Sequence, residues 1–380
     1  MKDCLTAWIG IIQNRFRAKA PIAKITLLLL GATVFGFCLD KINFPVAWLL
    51  GPMILGISYA LNRGSPQPLP KLFSTVGKSI IGVATAARFS LETLATATNY
   101  ALPLLLCIFI TGSLSLFNGY LLERWAGINR ATGFLGSTPG AASAIVAMSE
   151  EMGADAIAVS VLQYVRVAIV VLFIPLAASL LFPANSVTQV QATTTIYPTS
   201  GVPIPISWNL LILAVCAIIG VWGGSRLRLP ASPFLGPFLV GLIAFSGLPY
   251  QLQIPPFLFA GGLLVFGLFI GLKFDFHTVR KLFKAVLIEV VLVIVLSLIC
   301  LGVGYGFHLV TDVNVVTAVL SFTPGGIEAM IATVVQLGGD VGLVVMAQMT
   351  RMLIVLLLSP WLVSFALKSA AKANFQKEKD

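Results

Sequence analysis

The second half of this chain repeats the first, and the two copies align without a gap. Each position of the first copy matches the position 185 further along, so that Thr138-Pro139-Gly140 falls on Thr323-Pro324-Gly325. Similarly, Asp155, Gln163 and Arg166 fall on Asp340, Gln348 and Arg351. Apolar similarity alone would not keep proline, glycine, aspartate, glutamine and arginine in one register, so the fold must combine two related units of equal size.

Each copy consists mainly of apolar segments long enough to cross a membrane. Only 10% of the residues are charged and 58% are hydrophobic, whereas about a quarter are charged in ordinary globular proteins. One crossing needs about 20 apolar residues, so the sequence predicts an all-α integral membrane protein with five spans per copy. The predicted spans are 22–40, 44–61, 72–87, 99–122, 156–182, 207–224, 231–247, 257–272, 285–307 and 341–366.

The basic residues predict how the copies are oriented. With five spans per copy and a cytoplasmic N-terminus, Lys41 and Arg88 lie outside, Lys78, Arg166 and Arg351 lie in the membrane, and the other 19 of the 24 lie inside. If the small-residue stretches 131–151 and 315–338 also cross, the split falls to 13 inside against 8 outside. Basic residues favour the cytoplasmic side, so we expect two inverted-topology repeats, each with five helices and a re-entrant or broken half-helix.

These assignments divide the chain into five regions. We expect a cytoplasmic amphipathic segment at 1–21, membrane repeats at 22–182 and 207–367, an external linker at 183–206 and a basic cytoplasmic tail at 368–380. The N-terminal segment carries its basic residues after its apolar ones, which is the reverse of a signal peptide. The expected location is the bacterial inner membrane, with multiple passes and both termini in the cytoplasm.

The Thr-Pro-Gly motifs predict helices that begin inside the membrane. Proline suits the first helical turn, so we interpret Thr138 and Thr323 as N-caps of short half-helices. A half-helix N-terminus offers free N–H groups and a positive dipole, which suits an anion. The alternative is a proline-kinked helix that binds no ligand.

The following helix of each copy places a glutamine and an arginine on one face. Gln163 and Arg166 are three residues apart, as are Gln348 and Arg351. An arginine near the centre of a span is costly unless it is paired or faces water. Either the two guanidinium groups help to hold an anion, or they form structural ion pairs with acids on neighbouring helices.

Four acidic residues and one lysine complete the candidate groups. Asp155 and Asp340 each precede an arginine helix, where capping is expected, although a third hypothesis makes them the dyad of an intramembrane hydrolase. Glu328 stands where the first copy has Ser143, and it could pair with an arginine or carry a proton. Glu289 is expected near the membrane interface, with Lys78 as its partner.

The candidate substrate-binding residues are Thr138, Pro139, Gly140, Ser143, Gln163, Arg166, Thr323, Pro324, Gly325, Glu328, Gln348 and Arg351. Structural, capping or coupling roles are expected for Asp155, Asp340, Lys78 and Glu289. No catalytic residue, metal site or cofactor is predicted, because five unpaired cysteines and two isolated histidines build neither a disulfide framework nor a metal centre.

The two motif regions, GSTPGAASAIVAMSEEMGADAIAVSVLQYVRV and SFTPGGIEAMIATVVQLGGDVGLVVMAQMTRM, resemble the bacterial integral-membrane AbrB family, also labelled AmoA or ammonia monooxygenase. The resemblance covers 24–365 and implies an inner-membrane protein with a duplicated membrane domain and a role in regulating gene expression. It supplies no catalytic or binding residues. A monooxygenase would need a metal centre that two isolated histidines cannot build, and a DNA-binding regulator would need a soluble basic domain.

Together these features favour a secondary transporter of a small, anionic solute, with alternating access to a site near the membrane midplane. Proton or sodium coupling through Glu328 would fit this hypothesis. The alternative is a membrane-embedded sensor or regulator that affects gene expression indirectly. The expected partners are the lipid bilayer and a small-molecule or ion substrate, with a homodimer left open and no direct contact with nucleic acid.

Overall fold

A computed structural model describes residues 24–63, 69–87, 100–138, 145, 149, 154–181, 205–229, 231–247, 252–274 and 276–355. The regular structure within these residues is helical. The helices are α1 (24–41), α2 (Ala47–Arg63), α3 (Lys71–Ala86), α4 (Ala101–Ala126), α5 (Arg130–Ser137), α6 (Ala156–Leu181), α7 (Ile206–Arg226), α8 (Ser232–Gly247), α9 (Pro256–Gly271), α10 (Phe276–Lys281), α11 (Phe283–Thr311), α12 (Val315–Phe322), α13 (Ile327–Leu337) and α14 (Val341–Val355).

The helix boundaries carry the same duplication as the sequence. Helices α3 and α9 begin and end at positions that are 185 apart, and so do α5 and α12. Helices α4 and α11 also end 185 residues apart, at Ala126 and Thr311. The predicted N-terminal segment, nearly all of the predicted linker and the predicted basic tail lie outside the described residues.

Helices α4, α6, α7 and α11 are the four described helices that are long and apolar enough to cross a membrane. Several shorter helices, α8 and α9 among them, are equally apolar. Large apolar side chains also cover the outer surface, where Leu102 and Phe109 of α4 are 72% and 73% exposed. Such a surface suits contact with lipid tails rather than water, and the chain is a multi-pass membrane protein.

A first bundle comprises α1, α2, α3, α7, α8 and α9, which cross closely where glycine replaces a side chain. A Cβ atom added at Gly82 would lie 2.5 Å from the carbonyl oxygen of Phe234, and one added at Gly267 would lie 2.2 Å from that of Leu49. These two contacts are equivalent, because each residue of one pair matches a residue of the other at the offset of 185.

Helices α3 and α9 cross antiparallel at the centre of this first bundle. Gly77 faces Gly262 and Phe266 of α9. Ile80, which comes later along α3, faces only the earlier of these two residues, Gly262, so the two helices run in opposite directions. Gly77 and Gly262 are themselves equivalent residues of the two copies. The two halves of the chain therefore meet at matching points of matching helices.

A second bundle comprises α4, α5, α6 and α10 to α14. Helix α11 packs against α4, α6 and α12, and α5 packs between α4 and α6. Helices α5 and α12 have only 8 residues each and end inside the protein, where Phe322 is fully buried and its ring lies 4.9 Å from that of Phe307. The two bundles meet where α6 contacts α9 and where α13 contacts α3.

Candidate functional site

The Thr-Pro-Gly motif of the second copy is a break between two short helices. Helix α12 ends at Phe322, α13 begins at Ile327, and the four residues between them are not helical. Thr323 is completely buried in this break. The sequence therefore predicted an interruption of the helix correctly, rather than a continuous kinked helix.

The predicted N-capping role of the motif threonines is wrong. Thr323 is the C-cap of α12, its hydroxyl donates back to the carbonyl of Val319 at 2.7 Å, and Gly326 is the N-cap of α13. Thr138 likewise follows the end of α5 and donates to Phe134 O at 2.6 Å. A threonine hydroxyl readily bonds the carbonyl four residues earlier, which ties it to the preceding helix. Pro139, Gly140 and Ser143 lie outside the described residues.

Each glutamine and arginine pair holds the end of a half-helix. Gln163 Nε2 donates to Leu135 O at 2.6 Å and Thr138 O at 3.0 Å. The guanidinium of Arg166 donates to the carbonyls of Ser137 and Thr138, and to Gln163 Oε1 at 2.9 Å. We call this arrangement the first clasp.

The second copy repeats the clasp with the equivalent residues. Gln348 Nε2 donates to Leu320 O at 2.9 Å and Thr323 O at 3.1 Å. Arg351 donates to Phe322 O at 3.0 Å, to Thr323 O at 3.2 Å and to Gln348 Oε1. We call this the second clasp. Both arginines are 5% exposed.

The clasps explain how two arginines can lie deep inside an apolar bundle. The last carbonyls of a helix have no partner within it and carry its negative dipole end. Each guanidinium supplies donors to these carbonyls, and neither arginine forms an ion pair with an acid among the residues that the structure describes. The hydrogen-bond partners are therefore backbone carbonyls and a glutamine side chain, and Glu289 of α11 adds an electrostatic interaction with Arg166 without forming a direct ion pair.

Asp155 and Asp340 form the capping contacts that the sequence predicts. Asp155 Oδ1 accepts from the N–H groups of Ile157 and Ala158 at 2.9 and 3.0 Å. Asp340 Oδ1 accepts from Gly342 and Leu343 at 2.8 and 3.2 Å. Each aspartate caps a separate helix, which gives no support to a hydrolytic dyad.

Lys78 pairs with Glu328, not with Glu289 as predicted. Lys78 Nζ of α3 lies 3.6 Å from Glu328 Oε1, and the two side chains are 27% and 10% exposed. Glu328 is the second residue of α13, directly after the buried break. The pair links the first bundle to the second at the point where the helix is interrupted.

Glu289 is buried inside the protein. It is 1% exposed, and neither carboxylate oxygen has a hydrogen-bond partner within the described residues. Helix α11 begins at Phe283, so Glu289 lies nearly two turns inside it. The neighbouring Leu122, Leu162 and Leu292 form one buried apolar cluster, which explains why the side chain does not reach the surface.

Sequence reasoning missed a second polar contact between the bundles. Lys273, two residues beyond the end of α9, donates from Nζ to the hydroxyl of Tyr164 on α6. The same Nζ lies 4.3 Å from the centre of the Tyr164 ring and 4.5 Å from that of Phe269. Lys78 Nζ lies 5.5 Å from the ring of Phe266, one turn earlier on α9. Two lysines thus lie against successive aromatic residues of one helix.

Lys273 was predicted only as a cytoplasmic loop residue, because it follows the apolar run 257–272. It lies beyond the end of α9 and is half-buried. Burial, together with the nearby positive charges of Lys78 and Lys71, lowers the pKa of Lys273 to about 8. We call Lys78, Glu328, Lys273 and Tyr164 the boundary cluster, which carries one net positive charge when both lysines and the glutamate are ionised.

The described residues contain no group of three or more histidine, cysteine, aspartate or glutamate side chains placed to hold a metal ion. The fold and the cluster define a multi-pass helical membrane protein with a duplicated, clasped half-helix. The chain belongs to the AbrB family, because the family described as "Transition state regulatory protein AbrB" matches residues 48–366. The resemblance seen in the motif regions is thus confirmed.

Two curated relatives match nearly the whole chain. One is "Putative regulator AbrB" of Escherichia coli (strain K12), 30% identical over 359 residues, which cover 93% of this chain and 99% of the relative. The other is "Uncharacterized protein YhjN" of Bacillus subtilis (strain 168), 25% identical over 344 residues, which cover 86% and 88%. Neither name is that of an enzyme.

Among solved structures, the sodium proton antiporter MjNhaP1 from Methanocaldococcus jannaschii at pH 8 matches 92% of this chain and 99% of its own. The sequence identity is 15% and the TM-score is 0.28. A TM-score of 0.28 is too low to establish a shared fold.

Proposed function

We propose that this protein is a secondary transporter of a small anionic solute, with its site at the boundary cluster. The observation that carries the proposal is the contact between Lys78 and Glu328. It joins two helix bundles beside a break in a buried helix, and its lysine remains partly exposed. Ionisable residues within membrane-spanning bundles are energetically costly, and for this reason they commonly mark functional sites.

We further propose that the two repeats are inverted. The equivalent contacts of Gly82 with Phe234 and of Gly267 with Leu49 exchange the halves of the chain, as a two-fold axis does. The same exchange relates α3 to α9, which run antiparallel. An axis that relates antiparallel spans lies in the membrane plane, which supports inverted topology. In this arrangement the two half-helices α5 and α12 enter the membrane from opposite sides.

The arrangement of basic residues supports cytoplasmic termini. Because α3 and α9 are antiparallel, Lys71 at the start of α3 and Lys273 after α9 lie at one end of the first bundle. Arg226 ends α7 at the same end, since it lines one groove together with Leu72. All three are on the predicted cytoplasmic side, in line with the preference of basic residues for that side. The inner membrane remains our proposed location, and a homodimer remains open.

The charges of the boundary cluster suggest how an anion and a proton could be coupled. In the empty site Lys78 and Glu328 neutralise each other. An incoming anion would compete with Glu328 for Lys78, and a proton on Glu328 would release the lysine. Binding of one anion with one proton would keep the charge of the site unchanged, which avoids burying an unpaired charge. Lys273 would contact the anion as a second cation.

The clasps suggest which parts move. Gln163 and Arg166 fix the end of α5 to α6, and Gln348 and Arg351 fix the end of α12 to α14. Helices α5 and α12 would therefore move together with the rest of the second bundle. Rocking of that bundle against the first would open the boundary cluster to each side in turn.

The proposal is tested with purified protein in two steps. Thermal shift first compares sodium acetate, succinate, phosphate and sulfate at constant ionic strength, and the most stabilising anion is then used as radiolabelled substrate in proteoliposomes. We expect gradient-driven uptake that Lys78→Ala reduces at least tenfold. Lys41→Ala, which removes an exposed lysine at the end of α1, should leave uptake unchanged. Uptake that survives Lys78→Ala would disprove the proposed site.

The second candidate function is a membrane-embedded sensor that influences gene expression indirectly. It is favoured by the family description and by the name of the Escherichia coli relative, both of which refer to regulation. A sensor would show the same Lys78-dependent thermal shift but no flux under any gradient. The two candidates are therefore separated by the second step of the experiment.

A further inference from the structure

An open groove of about 860 Å³ runs between α3 and α7 on the outer face of the first bundle. Its walls are almost entirely apolar, with Val76 and Ile80 on one side and Leu213, Ala217 and Ile218 on the other. Ile218 is 69% exposed and Val76 is 42% exposed. The groove is distinct from the boundary cluster, which lies on the inner side of α3 against α9 and α13.

The groove is chemically different at its two ends. One end is lined by Ile254 and Leu258, which carry no charge. The other end is lined by Trp222, Ser225 and Arg226, the last turns of α7. Lys71 lies at this same end, one residue before the lining residue Leu72.

We propose that this groove binds a phospholipid with an anionic headgroup. Its acyl chains would lie against the apolar walls, and its phosphate would accept hydrogen bonds from Arg226, with Lys71 adding positive charge nearby. An apolar channel that ends in basic side chains matches the division of such a lipid into tails and headgroup. Trp222, 70% exposed, is placed where indole rings prefer to lie, between hydrocarbon and headgroups.

A second copy of the chain fits the groove less well. In a dimer with its two-fold axis along the membrane normal, the basic ends of both copies would lie on the same side of the membrane. Arg226, Arg228 and Lys71 of the two copies would then face one another across the interface. Like charges brought together in this way oppose association, whereas an anionic headgroup would neutralise them.

Trp222 allows a direct test by fluorescence quenching. The protein is reconstituted in vesicles of phosphatidylcholine that contain an equal fraction of either dibrominated phosphatidylglycerol or dibrominated phosphatidylcholine. The chain has 6 tryptophans, so the Trp222 signal is the difference between wild type and Trp222→Phe. We expect the relative association constant at Trp222 to be about fivefold higher for the anionic lipid, the factor expected for one basic residue beside an anionic headgroup.

Arg226→Gln should remove most of this preference, and Arg226→Gln combined with Lys71→Gln should bring it to about onefold. Arg124→Gln is the matched control, because Arg124 is also an exposed arginine in the last turn of a long apolar helix, and it should leave the preference intact. Equal quenching by both lipids in the wild type would overturn the proposal. Absence of quenching by either lipid would also overturn it and would indicate that another protein surface covers the groove.

Discussion

Lys78 Nζ lies 3.6 Å from Glu328 Oε1, and this pair interrupts the internal symmetry of the chain. The residue equivalent to Lys78 in the second copy is Leu263, and the residue equivalent to Glu328 in the first copy is Ser143. The glutamine and arginine clasps, by contrast, occur in both copies. The duplicated clasps thus hold the half-helices, and the ion pair at the candidate site has no charged equivalent in the other copy.

The negative charge of this pair can be removed while the shape of the side chain is kept, by the substitution Glu328→Gln. We expect Glu328→Gln to retain anion binding, since Lys78 is then free, but to lose proton movement coupled to the anion. Proteoliposomes loaded with a pH-sensitive dye measure this directly, because wild-type uptake should acidify the lumen. Anion-driven acidification of the same size in Glu328→Gln would show that the proton is carried elsewhere.

The second clasp should be a major source of stability. Arg351→Lys keeps the charge but loses the planar fork that reaches two carbonyls and Gln348. Leaving buried carbonyls without donors costs about 3 kcal/mol in total, so the Tm in detergent should fall by several degrees. Arg124→Lys, at an exposed position, should change the stability by less than about 0.5 kcal/mol. Equal Tm values for the two variants would contradict the structural role of Arg351.

The two capping aspartates should affect stability but not transport. Asp340→Ala removes the acceptor for two N–H groups and should cost about 1 kcal/mol, whereas Asp340→Ser should recover most of that loss. The double variant Asp155→Asn/Asp340→Asn should keep its function, because the asparagine side chains can still cap. Complete loss of function in a folded double variant would revive the hydrolytic dyad.

Lys273 gives the site a dependence on pH at its alkaline end. Its pKa is lowered to about 8 by burial and by the neighbouring lysines, so its positive charge is present below that pH and is lost as the pH rises through it. In a Glu328→Gln background, which removes the acid of the cluster, anion affinity should fall between about pH 7 and pH 9. Lys273→Arg should keep its charge and flatten this decline. Thermal-shift titrations over that range measure both curves.

The sequence predicted the helices more completely than the candidate site. All ten predicted spans correspond to helices among the described residues, because apolar runs bounded by glycine, proline and charge define helix ends without knowledge of their partners. The Thr-Pro-Gly motif of the second copy marked the helix break correctly. The capping assignment failed because proline indicates where a helix can begin, whereas the threonine hydroxyl bonds the helix that ends there.

The boundary cluster could be predicted only in part. Lys78 and Glu328 were recognisable as charges without a counterpart in the other copy, but their pairing depends on how α13 packs against α3. Tyr164 follows the conspicuous Gln163, and its apolar equivalent Met349 was the only available signal. Lys273 looked like one of many basic residues at the end of a span. Contacts between bundles depend on packing that helical periodicity does not encode.

The central claim is that transport requires movement between the two bundles, and a cross-link across their boundary tests it most directly. Val46 N–H donates to Gln336 Oε1 at 2.6 Å from the first bundle to the second. In a cysteine-free background, Val46→Cys/Gln336→Cys joined by a short reducible cross-linker should lower anion uptake at least tenfold, and reduction should restore it. The matched pair Asn118→Cys/Leu292→Cys lies within the second bundle, where Asn118 Nδ2 donates to Leu292 O at 3.2 Å, and its cross-link should leave uptake unchanged. Full uptake through a completely cross-linked Val46–Gln336 boundary would contradict the account.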